Sequence, residues 1–119
     1  MSIEVSHLSK LIEAKIHLPS SKSESNRALI INALTGNKCD IQNVSAARDT
    51  QTMKRLLAST DEVLDVIDAG TTMRFLTAFY GVQKGVNKTI TGTERMCERP
   101  IGLLVEALKQ IGSEITYLK

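Results

Sequence analysis

Apolar residues recur along this chain with two periods that take turns, and that alternation limits the fold more than any other feature. "LIEAKIHL" places Ile12, Ala14, Ile16 and Leu18 on one side and Glu13, Lys15 and His17 on the other, the mark of a half-exposed strand. Pro19 and a run of serines end it. The pattern then predicts a helix from about Ser23 to Thr35 that stops at Gly36, a residue suited to the position just past a helix end. Strand character returns over "CDIQNV". Asp49 is placed to cap a second helix, in which Met53, Leu56 and Leu57 share a face. "EVLDVI" reads as a strand, "AGTTMRFLTAFYGV" as a third helix with Met73, Leu76 and Phe79 or Tyr80 inward, and "NKTITG" as a strand. Pro100 suits the first turn of a fourth helix, along which Ile101, Leu104, Val105, Leu108 and Ile111 form one stripe. Gly112 ends it, and "EITYL" closes the chain as a strand. This order of elements predicts a mixed α/β (α+β) fold.

Setting Arg27 over Arg74 aligns "SESNRAL" with "GTTMRFL", an internal echo at a spacing of about 50 residues. Two related units, the second incomplete, account for it. So does the self-similarity of any alternating chain, and the residues alone leave both accounts open. At 119 residues the chain makes one domain or part of one, long enough to bury a sizeable core. A net charge of +2 with no basic stripe does not suit a nucleic-acid binder, and Phe75, Phe79, Tyr80 and Tyr117 offer little for base stacking. Apolar runs fall short of a membrane span, and the N-terminus lacks a signal-peptide layout. Cys39 and Cys97 have no zinc-ligand spacing and read as free thiols of a cytoplasmic protein.

Chemistry-bearing residues gather at the starts of the predicted helices. A helix N-terminus carries unpaired N–H groups and a partial positive charge, so it attracts anions. In "LPSSKSESNRAL", Ser23 and Arg27 share one face of the first turn and Lys22 lies just before it, so a lysine, a guanidinium and several hydroxyls could meet a phosphate or carboxylate. The apolar turns that follow suggest a helix buried inside the protein with only its polar tip presented. Read alone, the stretch fits more simply as a serine cap with two surface cations. In "DAGTTMRF", Asp68 can cap the helix, Gly70 lets a ligand approach the backbone, and Arg74 lies one turn on. A capped amphipathic helix explains it equally. In "GTERMCERPIG", Arg95 and Arg99 flank the start of the fourth helix, with Glu94 and Glu98 as candidate neutralising partners. Cys97 has no histidine tied to it by a motif and does not read as a nucleophile. Together the three cationic helix starts suggest a cleft for a ligand with two or more negative groups.

"LPSSKSESNRAL", "DAGTTMRFL" and "RMCERPIGLLVEAL", in this order, resemble the N-terminal part of the 5-enolpyruvylshikimate-3-phosphate synthases, the 3-phosphoshikimate 1-carboxyvinyltransferases of aromatic amino-acid biosynthesis. The resemblance covers most of the chain from Leu18 onward. It implies transfer of the enolpyruvyl group of phosphoenolpyruvate to the 5-hydroxyl of shikimate 3-phosphate, with no metal and no organic cofactor. It also implies a partial domain built from βαβαββ-type repeat units, helices buried and sheets outside. On that plan residues 1–18 are opening strand belonging to the other domain, 19–67 a first βαβαβ unit and 68–119 an incomplete second unit. Carried over residue by residue, Lys22 would touch both substrates, and Ser23 and Arg27 would hold shikimate 3-phosphate. Gly70 would donate its N–H towards phosphoenolpyruvate, whose phosphate Arg99 would clamp. Asp68 and Arg74 match the motif without an assigned role. The family's acid and base residues lie in sequence this chain does not contain, so the implied partner is the remainder of the same polypeptide, and the chain alone is expected to be inactive.

The chain departs from the family pattern in several places. Ser21 stands where glycine is common. Asp68 replaces the usual asparagine, which puts a carboxylate near an incoming phosphate and should weaken phosphoenolpyruvate binding unless a cation pairs with it. Phe75 replaces a common proline, and the stretch between the first two motifs is short, so a hairpin found in some members should be absent. The competing expectations are a stand-alone binding module for phosphorylated metabolites and an RNA-contacting α/β domain.

Overall fold

The structure is a computed structural model, and it describes residues 1–9 and 11–118. Helix α1 spans Lys22–Leu34 and α2 Arg48–Leu57; strand β1 (Val63–Asp65) follows, then α3 (Gly70–Gly81), β2 (Thr89–Thr91), the one-turn helix α4 (Glu94–Cys97) and α5 (Gly102–Gln110). The architecture is thus mixed helix with a small parallel sheet. β1 and β2 pair in register Val63↔Thr89, Leu64↔Ile90 and Asp65↔Thr91. Parallel strands cannot be joined by a tight turn, and here α3 supplies the crossover. Flanking backbone bonds extend the ladder, from Thr89 N to Glu62 O at 2.8 Å and from Thr93 N to Ile67 O at 2.8 Å.

The core lies where α2, β1 and α3 meet. Met53 and Leu56 from α2, Leu64 and Val66 from the β1 segment, and Met73 and Leu76 from α3 are buried, with Met96 of α4 closing the cluster. Each such side chain contributes about 1.5–3 kcal/mol by leaving water. Val105 and Leu108 of α5 are buried as the predicted stripe requires, whereas Ile111, at its end, is exposed.

Three predicted strands are not formed. Residues 11–18 belong to no element, and Leu11, Ile12, Ile16 and Leu18 are each at least 71% exposed. A strand exists only with a hydrogen-bonded neighbour, and none lies beside this segment among the described residues. "CDIQNV" is a loop: Asn32 donates from Nδ2 to Cys39 O at 3.0 Å and accepts from Cys39 N at 2.9 Å, which occupies backbone groups a ladder would need. Asn43 (φ 54°) also turns the backbone out of the extended region. "EITYL" forms no strand among its described residues.

Helix starts also differ from expectation. Asp49 is not a cap: extended Ala47 is the N-cap of α2, and Asp49 sits in the first turn. Asp68 is not one either, because a bond from Ala69 N to Val66 O (2.9 Å) tightens the entry so that Ala69 becomes the N-cap of α3. The final helix begins at Gly102 rather than at Pro100, with the unforeseen α4 before it. Nor is α1 enclosed on all sides, since Ile31 and Leu34 are about 60% exposed. Gly36 (φ 78°) and Gly112 (φ 97°) do stand in the left-handed conformation just past α1 and α5, where a side chain would be strained.

Candidate functional site

A ligand at a parallel sheet tends to sit beyond the carboxyl ends of its strands, where the chain turns into helices. Here β1 leads through Ile67 to Asp68 and the start of α3, and β2 leads through Gly92 to Thr93 and α4. Between these two exits lies a cavity of about 210 Å³ lined by Asp68, Thr93, Arg95, Met96 and Arg99. Gly92 is required there by close packing: a Cβ would come within 2.6 Å of Ile67 O and 2.9 Å of Met96 Cγ.

Gly70, the first residue of α3, is buried, and a Cβ added to it would overlap Nη1 of Arg99 and lie 3.4 Å from Nη1 of Arg74. Two guanidinium groups therefore come up against one glycine. Arg74 is fastened there, donating from Nη1 to Gly70 O (3.2 Å) and from Nη2 to Pro100 O (3.0 Å), which ties α3 to the segment carrying Arg99. Among the described residues the ion pairs are Lys22–Asp49 and Arg48–Asp68, so Arg74, Arg95 and Arg99 stand without carboxylate partners. Clustered unpaired cations at a helix N-terminus favour an anion. Glu94 and Glu98 do not neutralise the arginines, contrary to the simpler sequence reading.

A second group of polar residues lies at the start of α1. Ser21 caps the helix, its Oγ accepting from Glu24 N at 3.3 Å. Lys22 Nζ donates to Asp49 Oδ2 at 3.2 Å, and Thr72 Oγ1 donates to Asp49 O at 3.2 Å, so the first turns of α1, α2 and α3 meet around Asp49. Ser23 and Arg27 are exposed. Arg27 Nη1 donates to Ser23 O at 3.1 Å, four residues back, just as Arg74 does to Gly70 O. No hydrogen bond or ion pair among the described residues joins Ser23 or Arg27 to the cavity. Behind this tip Asn26 and Thr50 are buried with side-chain polar atoms that find no partner among the described residues.

The structure thus brings Gly70, Asp68, Arg74 and Arg99 together and places Lys22 at the adjoining helix start, while Ser23 and Arg27 remain on the outer face of α1. Sequence reasoning missed Arg48, whose guanidinium contacts Asp68 Oδ2. A basic residue opening α2 beside an acidic one opening α3 was the available signal. Burial raises the Tyr80 phenol above its ordinary 10.0, but Tyr80 lies at the far end of α3. Among the described residues no three His, Cys, Asp or Glu gather to hold a metal ion, and no helix is long and apolar enough to cross a membrane.

The family profile described as EPSP synthase (3-phosphoshikimate 1-carboxyvinyltransferase) matches residues 7–61 and 54–119. The chain belongs to this family. A 3-phosphoshikimate 1-carboxyvinyltransferase of Bacteroides fragilis (strain YCH46) is 51% identical over 108 residues, covering 91% of this chain and 26% of the relative. One from Sulfurovum sp. (strain NBC37-1) is 37% identical over 136 residues, covering 92% and 32%. The pentafunctional AROM polypeptide of Komagataella phaffii is 37% identical over 130 residues, covering 84% of this chain and 8% of that one. No solved structure matches the chain. The chain therefore spans about a quarter of the length of its Bacteroides relative. The Sulfurovum match runs over 136 positions although the whole chain has 119, so that relative carries residues this chain lacks. The two profile matches overlap at 54–61, across the last turn of α2 and the start of its connection to β1.

Proposed function

We propose that this chain supplies one wall of the active site of a 3-phosphoshikimate 1-carboxyvinyltransferase. The observation that carries the reading is the meeting of Arg99 and Arg74 at Gly70, on a cavity that Arg95 also lines. The reaction breaks the bond between C2 and the phosphate oxygen of phosphoenolpyruvate, joins C2 to the 5-oxygen of shikimate 3-phosphate, and releases phosphate and the hydroxyl proton. Two phosphorylated carboxylates must be held side by side against their repulsion, and fixed cations do this without reorganising. Arg99 takes the phosphate of phosphoenolpyruvate, with the Gly70 N–H donating to the same substrate. Arg74 holds Arg99 in place through Pro100. Lys22, released from Asp49, bridges both substrates, and Ser23 and Arg27 bind the carboxylate of shikimate 3-phosphate.

The acid and base are contributed by the remainder of the same polypeptide, so these 119 residues alone give no turnover. Residues 1–18 pair within the other domain, which the exposure of 1–9 and 11–18 supports, while 19–67 and 68–119 form a first and an incomplete second unit of the βαβαββ type. The free, exposed thiols of Cys39 and Cys97 suit the cytoplasm. Titrating phosphoenolpyruvate into the 15N-labelled chain should move the Gly70 and Arg99 amides, and shikimate 3-phosphate should move those of Lys22, Ser23 and Arg27. Shifts scattered over unrelated surfaces would overturn the assignment.

A further inference from the structure

Asp68 poses a difficulty for an anion site. Asp68 lines the same cavity as Arg95 and Arg99, and it does not cap α3, whose N-cap is Ala69. A carboxylate on a cavity that Arg95 and Arg99 also line competes for those arginines unless another cation holds it. An incoming phosphate would then face both a neutralised arginine and a like charge. In the structure that carboxylate is paired with the guanidinium of Arg48 at the start of α2.

We infer that Arg48 is a positioning residue: it holds Asp68 against α2 and so keeps the cavity arginines unpaired for a phosphorylated substrate. The inference rests on the reading of the cavity given above and adds a residue to it. Arg48 is not among the residues lining the cavity, and among the described residues its side chain makes no hydrogen bond or ion pair other than that to Asp68. Its side chain is 70% exposed, so truncating it removes nothing from the core. The pair itself is partly exposed and contributes little to stability; its effect is on where the charge of Asp68 points.

Four versions of the 119-residue chain test this: unmodified, Arg48→Ala, Asp68→Asn, and both together. Without any ligand, the Arg99 side-chain Nε–H resonance should move in Arg48→Ala and return in the double variant. With phosphoenolpyruvate as the probe, Arg48→Ala should weaken binding roughly three- to tenfold, the effect of one unshielded charge near a surface site. The double variant should bind as Asp68→Asn does. An unmoved Arg99 resonance in Arg48→Ala overturns the inference whatever the ligand does. So does a double variant as weak as Arg48→Ala, which would make Arg48 a direct anion ligand. Failure of all four chains to bind phosphoenolpyruvate would count instead against the parent reading, while the ligand-free resonance still decides the role of Arg48.

Discussion

The cation group at the start of α3 and the one at the tip of α1 are built differently. At α3 the parts hold one another: Arg74 spans from Gly70 O to Pro100 O, Arg99 abuts Gly70, and the cavity walls come from both strand exits. At α1 the polar groups point away or to themselves. Lys22 is tied to Asp49, Arg27 folds back on Ser23 O, and Asn26 and Thr50 keep buried polar atoms without partners among the described residues. The first group is organised before any ligand arrives. The second is not, and on the proposed reading a ligand there must displace the contact between Lys22 and Asp49.

The largest expected effect falls on the organised side. Arg99→Ala removes a charge-assisted contact worth about 1.5–3 kcal/mol, so phosphoenolpyruvate binding should weaken by roughly ten- to a hundredfold. Shikimate 3-phosphate binding to the α1 tip should change less than about twofold, because additivity holds for sites without shared partners. Titration of each substrate into the variant checks this. Equal losses for both would mean that the two groups are one.

Gly70→Ala comes next. The new methyl group would overlap Arg99 Nη1, and the long arginine can only respond by moving its guanidinium off the helix start. Affinity for phosphoenolpyruvate should fall about tenfold, as for a misplaced charged hydrogen bond, while urea unfolding changes little. A stability loss with unchanged affinity would show that Arg99 gives way without consequence for the anion.

On the α1 side, Asp49→Asn should release Lys22. The side chains of that pair are 48% and 26% exposed, so the contact stabilises the fold by no more than about 1 kcal/mol. Shikimate 3-phosphate should therefore bind up to about fivefold more tightly. Weaker binding would mean that Asp49 aims Lys22 rather than competing for it.

What the sequence made legible divides along the same physical line. α2 and α3 could be read because their apolar spacing is local, and Met53, Leu56, Met73 and Leu76 are buried as their period requires. β1 and β2 were legible because α3 returns the chain to form the partner. The strands expected at "LIEAKIHL", "CDIQNV" and "EITYL" failed for the opposite reason: alternation shows that a segment could pair but not what it would pair with. Gly70, Arg74 and Arg99 were named through their motifs, and the structure brings them together. Arg48 was not, because its partner lies beyond a helix and a strand, and Asp68 looked like a cap until Ala69 took that place.

The smallest expected effect concerns backbone strain, and it too separates the two regions. Around the end of α1 the left-handed non-glycine residues are Asn37 (φ 57°) and Asn43 (φ 54°), a residue type that adopts this conformation readily. At the exit from β1 the corresponding residue is Ile67 (φ 59°), for which the branched side chain makes it costly. Its N–H donates to Asp65 Oδ1 at 2.7 Å and its carbonyl accepts from Thr93 N, so Asp65 and the cavity residue Thr93 hold the strained turn in place. Ile67→Asn should relieve part of the strain and stabilise the chain by about 0.5–1 kcal/mol in urea unfolding. If the strain serves to aim Asp68 and the start of α3, the stabilised variant should also bind phosphoenolpyruvate less well. Higher stability with unchanged binding would leave the turn as a cost of the β1 exit alone, with no part in organising the arginines.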